Sequence, residues 1–267
     1  MEERGRLLTV VLVVLSSILG LLIGSFLNVV IWRVPRGESV ARPPSACPAC
    51  HHPVRPRDNI PVVSWLLLRG QCRDCKEPIS GRYPAVEAGT ALAFGVTATH
   101  FGPVAHLPAF LYLTAIAIAL ALIDIDVHRL PNAIVLPSYV VGGVLLAVPS
   151  VISSDGGQLL RAAIGAAALY GLYFALVLVY PGGMGYGDVK LAGVLGMYLA
   201  WLGWGELAVG AFLAFLIGGL VGVALMLGGK AGRKSKIPFG PYMLVGAFGG
   251  IFFGDAIAGW YLAAMGL

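Results

Sequence analysis

Charge is what this chain has least of. Only 12% of its 267 residues are Asp, Glu, Lys or Arg, while 58% are hydrophobic, and the mean hydropathy is +0.86. A soluble domain of this length carries about 25% charged residues, so the composition excludes a water-soluble globular protein and defines an integral membrane protein. The net charge of +5 is not a nucleic-acid surface, because placement outweighs the sum: nine of the 18 basic residues fall within residues 33–83. Cysteine is absent outside residues 47–75. A small-x-small cleavage site is lacking after the first apolar run, which at about 25 residues exceeds a signal-peptide core; that run is a retained first span. No repeat relates the two halves, which weighs against an inverted-repeat transporter, and no cofactor-binding motif stands out.

What is present is a series of apolar runs. About 20 apolar residues cross the hydrocarbon core as a helix, and eight spans are expected, at 7–32, 84–101, 107–126, 133–151, 159–180, 188–203, 206–229 and 238–262. With the N-terminus outside, 15 of the 18 basic residues lie on the cytoplasmic side, including the "KAGRKSKI" stretch at 230–237. The positive-inside rule selects that orientation, and eight spans return the C-terminus to the outside. Most of the 37 glycines are read as packing residues, since small side chains let membrane helices approach closely. The expected fold class is therefore an all-α polytopic membrane protein with about eight transmembrane helices and a small cytoplasmic four-cysteine loop domain. Its segments are 1–32 (first span), 33–83 (loop domain) and 84–267 (the remaining helices).

The loop domain holds "CPAC" at 47–50 and "CRDC" at 72–75. Two thiolates three positions apart chelate one ion from a tight turn, and two such turns complete a closed tetrahedron, so Cys47, Cys50, Cys72 and Cys75 are the expected ligands of a structural zinc. A segment of about 50 residues also gains from a metal, because burial alone stabilises so small a unit poorly. His51 and His52, beside a complete ligand set, are read as surface residues.

Carboxylates in the apolar part are few. Asp124 and Asp126, in "ALIDIDVHRLPN", end the third span, and Asp188, in "GMGYGDVK", begins the sixth at the same face. Two facing carboxylates that share a proton meet the requirement of aspartic-type hydrolysis. Membrane carboxylates equally mark ion and proton pathways, so a proton-coupled transporter is the alternative, and a non-catalytic scaffold a third. Asp124 is the preferred partner of Asp188, with Asp126 the fallback. Helix ends make the pair unequal: Asp188 sits at a helix start, where the dipole favours negative charge, and Asp124 at a helix end, where it opposes it.

Taken together these motifs resemble the prepilin leader peptidases, the type IV leader peptidase family of membrane GxGD aspartic proteases. The resemblance runs through "GSFLNVVIWRVPRGES" at 24–39, the cysteine segment at 45–87 with its DNIP, SWL and RYP-x-x-E elements, "IDIDVHRLPN" at 123–132 and "GMGYGD" at 183–188. Asn132 departs from an aspartate common in relatives, and Gln71 from a basic residue found in some. The resemblance implies cleavage of the short basic leader of prepilins and pseudopilins at the cytoplasmic face of the bacterial inner membrane, after a glycine and usually before a phenylalanine, by Asp124 and Asp188. It also implies N-methylation of the new N-terminus with S-adenosylmethionine. The partners so implied are prepilin substrates and membrane lipid, with no nucleic acid.

Overall fold

The computed structural model describes residues 2–181, 183–229 and 238–266; the basic stretch at 230–237, part of the orientation argument, lies outside them. Nine α-helices order the described chain: α1 Glu2–Arg33, α2 Val63–Leu67, α3 Arg82–Phe101, α4 Leu107–Val127, α5 Asn132–Ile152, α6 Gly156–Val179, α7 Tyr186–Leu202, α8 Trp204–Leu227 and α9 Gly240–Ala264. Among the described residues, β-structure is limited to two isolated bridges in the cysteine loop. Each of the eight expected spans is one continuous helix, with ends moved by a few residues. The breaks fall where backbone chemistry demands them. α3 stops at Gly102, whose φ is +67°, just before Pro103, and α5 begins after Pro131 in an extended conformation.

Six of the eight long helices, α1, α4, α5, α6, α8 and α9, are long and apolar enough to cross a membrane by length and composition. α3 and α7, the second and sixth expected spans, are not among them. α7 has a physical reason. Thirteen of its 17 residues are buried, and it packs against α5, α6, α8 and α9. A helix enclosed by protein needs no lipid-facing stripe, so it can be short and carry Asp188 and Lys190. α3 is diluted by polar residues that satisfy themselves locally, as where Thr90 returns its hydroxyl to the Val86 carbonyl at 2.7 Å.

The chain forms two compact units, Met1–Ala119 and Leu120–Leu267. In the first, α1 lies along α3, and the cysteine loop joins their ends. In the second, α6 and α7 cross at Gly165 and Gly196, where a Cβ on Gly165 would strike the Gly196 carbonyl oxygen and Ala200. That crossing brings the backbones together by the small-residue packing typical of membrane helices. α8 and α9 form a second close pair in this unit.

Candidate active site and metal centre

The two cysteine pairs sit in the same turn built twice. The Cys47 N–H donates to the His52 carbonyl (3.0 Å) and the His51 N–H to the Cys47 carbonyl (2.9 Å); the Cys72 N–H donates to Glu77 (2.8 Å) and the Lys76 N–H to Cys72 (3.1 Å). His51 and Lys76, each just after a second cysteine, have φ of 58° and 64°. The outer frame matches as well, with bridges Ala46–Pro53 and Gln71–Pro78. Facing each other, the turns set Cys47 Sγ 3.7 Å from Cys75 Sγ and Cys50 Sγ 4.0 Å from Cys72 Sγ, with all four sulfurs within 4.8 Å of one another. A tetrahedron with metal–sulfur bonds of about 2.3 Å has edges of about 3.8 Å, so the four cysteines can hold a metal ion. Backbone amides of Cys50 and Ala49 draw the Cys47 thiol down to about 7. At Cys75 the Glu77 amide also favours the thiolate, but desolvation and the neighbouring Cys50, Cys47 and Cys72 sulfurs outweigh it and push the thiol up to about 12. Thiolates set this close repel one another, and a divalent cation bound among them relieves that repulsion. Arg73, doubly bonded to Asp58, and Arg55, paired with Asp74 at 2.7 Å, brace the second turn.

The carboxylates belong to the second unit. Asp124 lies in the last turn of α4 and Asp188 in the first turn of α7, and both are buried, at 5% and 7% exposure. The GYGD turn closes on itself: the Gly185 N–H donates to Asp188 Oδ2 at 2.9 Å, and the Asp188 N–H donates to the Gly185 carbonyl at 3.0 Å. Asp124 Oδ2 accepts from the N–H of Gly240, the first residue of α9, at 3.1 Å. Both side chains line one open cleft of about 250 Å³ with His128, Arg129, Leu130, Gly185, Tyr186 and Gly187. Gly187 faces Leu130, where a Cβ would lie 3.0 Å away, so glycine here lets the α4–α5 connection close over the α7 start. Asp126 is exposed and is not among the cleft residues. Two positions apart on a helix means about 200° around it, so Asp124 and Asp126 cannot face the same cleft.

Several of these neighbours were not legible in the sequence. Gly240 supplies Asp124 with a helix N-terminus, which offsets the inequality expected from helix ends alone. Its only signal was a glycine bracketed by Pro238 and Pro241. Lys190 is engaged elsewhere, donating to Asn132 Oδ1 at 2.9 Å with its ammonium 4.9 Å from the Tyr186 ring. Behind the cleft Phe215 lies between Tyr173 and Phe239, with ring centroids 5.2 and 5.6 Å apart. Two buried carboxylates from separate helices, each held by one backbone amide and open on one side to a cleft, can together activate a water molecule and polarise a carbonyl.

Such a site has the groups that aspartic-type hydrolysis requires, and the comparisons with known proteins show the family. Residues 18–101 match the bacterial peptidase A24 N-terminal domain, and residues 111–223 match the type IV leader peptidase family. The chain is 39% identical over 273 residues to the prepilin leader peptidase/N-methyltransferase of Aeromonas hydrophila, covering 93% of each chain. It is 38% identical to that of Pseudomonas aeruginosa, covering 95% of this chain and 94% of the relative. The Neisseria gonorrhoeae protein of the same name is 38% identical, covering 86% and 87%. This protein belongs to the type IV leader peptidase family, and with its six membrane-length helices it is a multi-pass inner-membrane protein. No solved structure matches it.

Proposed function

We propose that the protein is an aspartic endopeptidase that removes the basic leader of prepilins and pseudopilins at the cytoplasmic face, using Asp124 and Asp188. The observation that carries this reading is the shared cleft: two buried carboxylates, one from α4 and one from α7, with glycine-lined backbone between them. One ionised carboxylate takes a proton from water as the water attacks the scissile carbonyl. The protonated partner donates to the carbonyl oxygen, and the proton then passes to the leaving amide nitrogen as the C–N bond breaks. Gly185, exposed at the cleft and without a side chain, leaves room for an extended substrate strand to approach. The transporter alternative finds no support among the relatives. The test is cleavage of a prepilin by the purified protein. Asp124→Asn and Asp188→Asn should each abolish cleavage, and Asp126→Asn should leave it standing; substantial cleavage by Asp188→Asn refutes the dyad.

The four cysteines are assigned to one structural zinc, which holds the loop without an open coordination position. The segments 1–32, 33–83 and 84–267 then act as first span, zinc-bearing loop domain and protease domain. N-methylation by S-adenosylmethionine rests on the family alone. The apolar cavity among α6, α7, α8 and α9 admits only about 10 Å³, room for about one water molecule, so that cavity does not fit the cofactor. The orientation, with both termini outside, rests on the basic residues of 33–83. Asp155, which caps α6 by accepting from the Gly157 N–H at 3.0 Å, lies in an outer loop on this reading. An Asp155→Cys thiol reactive only from the cytoplasm overturns it.

A further inference from the structure

The loop between α1 and α3 carries an apolar surface that neither the metal centre nor the carboxylate cleft explains. On α2, Val63 is 48% exposed, Leu66 61% and Leu67 78%, and Ile60 just before it is 50% exposed. The other side of this short helix is anchored. Ser64 is buried and donates to the Arg57 carbonyl at 3.0 Å, and Trp65 donates its indole N–H to the Ile79 carbonyl at 3.0 Å. The apolar side chains are thus turned outward on a fixed support.

That support is tied to α1 and α3. Val62, the residue before α2, donates its N–H to Glu87 Oε2 at 2.7 Å. Its φ of 61° is rare for a β-branched residue, so the backbone is bent to reach this partner. Glu87, on α3, lies against Gly24 of α1, where a Cβ would come within 2.8 Å of the Glu87 Cα. Four residues on, Asn28 donates to the Tyr83 carbonyl at 3.2 Å. Near the end of α1, Trp32 is 57% exposed with the Arg36 guanidinium 3.6 Å from its ring centroid. Such an aromatic and basic pair belongs at headgroup level. At about 1.5 Å per residue, Gly24 lies about 12 Å along α1 from Trp32, and the Glu87 side chain spans part of that distance to reach Val62. With Trp65 held by the Ile79 carbonyl just before α3, α2 is tied to the ends of α1 and α3 that meet the membrane surface.

Charge completes the pattern. Arg55 and Arg73 are occupied by Asp74 and Asp58, and Arg33 donates to the carbonyls of Ser39 and Pro43. Arg57 and Arg69, one on each side of α2, are exposed and form no ion pair among the described residues. Outward leucines beside the membrane-facing helix ends, with exposed guanidinium groups next to them, complement an anionic phospholipid leaflet.

We infer that α2 is an interfacial anchor: Leu66 and Leu67 insert into an anionic phospholipid leaflet while Arg57 and Arg69 meet its phosphates, holding the metal-bearing loop on the membrane surface. This does not depend on the peptidase reading, and failure of one leaves the other intact. The test uses the full chain in nanodiscs of phosphatidylcholine alone or mixed with phosphatidylglycerol, read by hydrogen exchange of the amides of residues 63–68. Exchange should be about tenfold slower in the anionic discs. The Arg57→Gln/Arg69→Gln pair should erase that difference, and Leu66→Ser/Leu67→Ser should remove protection in both discs, with bound metal and exchange at 45–52 unchanged. The arginine pair, on the surface, keeps the test decisive should the leucine pair misfold. Equal exchange in both discs overturns the inference. So does protection that appears only with two copies per disc, or only on adding a prepilin, since it then belongs to a second copy or to substrate.

Discussion

Replacing Gly240 by alanine tests the seat of Asp124 directly. A Cβ at this position would lie 2.7 Å from Asp124 Oδ2 and 3.3 Å from Leu130 Cδ2. Ordinary contact begins near 3.4 Å, so the carboxylate must retreat by about 0.7 Å. The Gly240 N–H to Oδ2 bond, 3.1 Å long, then stretches past hydrogen-bonding distance. A hydrogen bond to a charged group is worth about 1.5–3 kcal/mol, which corresponds to roughly ten- to hundredfold in rate. A misplacement approaching 1 Å costs up to about a hundredfold by itself. The two estimates overlap, and a fall in kcat of about a hundredfold is expected, with KM little changed because the substrate surface of the cleft is untouched. Folding should change little, since the flexible end of Asp124 absorbs the contact. The assay is cleavage of a prepilin at saturating concentration by the purified Gly240→Ala protein. Gly219→Ala serves as control, because nothing lies within 4 Å of a Cβ there. Wild-type kcat in Gly240→Ala refutes the reasoning, and an equal loss in Gly219→Ala would show a general packing defect instead.

Three further outcomes follow from the same geometry. Metal analysis should find one zinc per chain, and Cys47→Ser or Cys72→Ser should release it and loosen the loop to proteolysis, because metal binding supplies folding free energy; a full complement of zinc in either variant contradicts the ligand set. Arg161 donates to the carbonyls of Ala200, Trp201 and Leu202 at 2.5, 2.7 and 3.0 Å, capping the end of α7 from α6. Arg161→Met should lower stability by about 2–3 kcal/mol, and an unchanged denaturation midpoint counts against that cap. In the loop, hydrogen bonds from Arg73 hold the Asp58 carboxyl below the usual carboxylate range. Its contribution is therefore present above the unfolded value of about 4 and is lost as pH falls through the lower folded value. The stability gap between parent and Asp58→Asn, followed by loop proteolysis, should be open at about pH 5 and close on acidification; a gap that persists unchanged rejects the assignment.

Much of this protein is written in its one-dimensional pattern. Apolar runs of membrane length placed eight long helices, because hydrophobic length is a local property and a helix satisfies its backbone within one segment. The C-x-x-C pairs were equally legible, since each turn is closed by hydrogen bonds only a few residues apart. The glycine-rich approach to Asp188 could be read for the same reason, as the Gly185–Asp188 bond spans three positions.

Tertiary structure decided what depends on packing between distant segments. That α7 is enclosed on all sides, and so can be short and polar at its start, follows from four neighbouring helices that its own sequence does not specify. The choice of Asp124 over Asp126 as a cleft residue turned on which side of α4 faces the interior, and α4 is too uniformly apolar for periodicity to mark a face. The Gly240 amide reaches Asp124 from 116 positions away, and Glu87 holds Val62 from 25. Contacts of that separation exist only once the helices have packed, because no local interaction links the partners. The sequence therefore carried the helices, the cysteine turns and the few candidate carboxylates, while the fold alone determined which of those carboxylates share a cleft, how each is held, and how the loop between α1 and α3 is tied to Glu87.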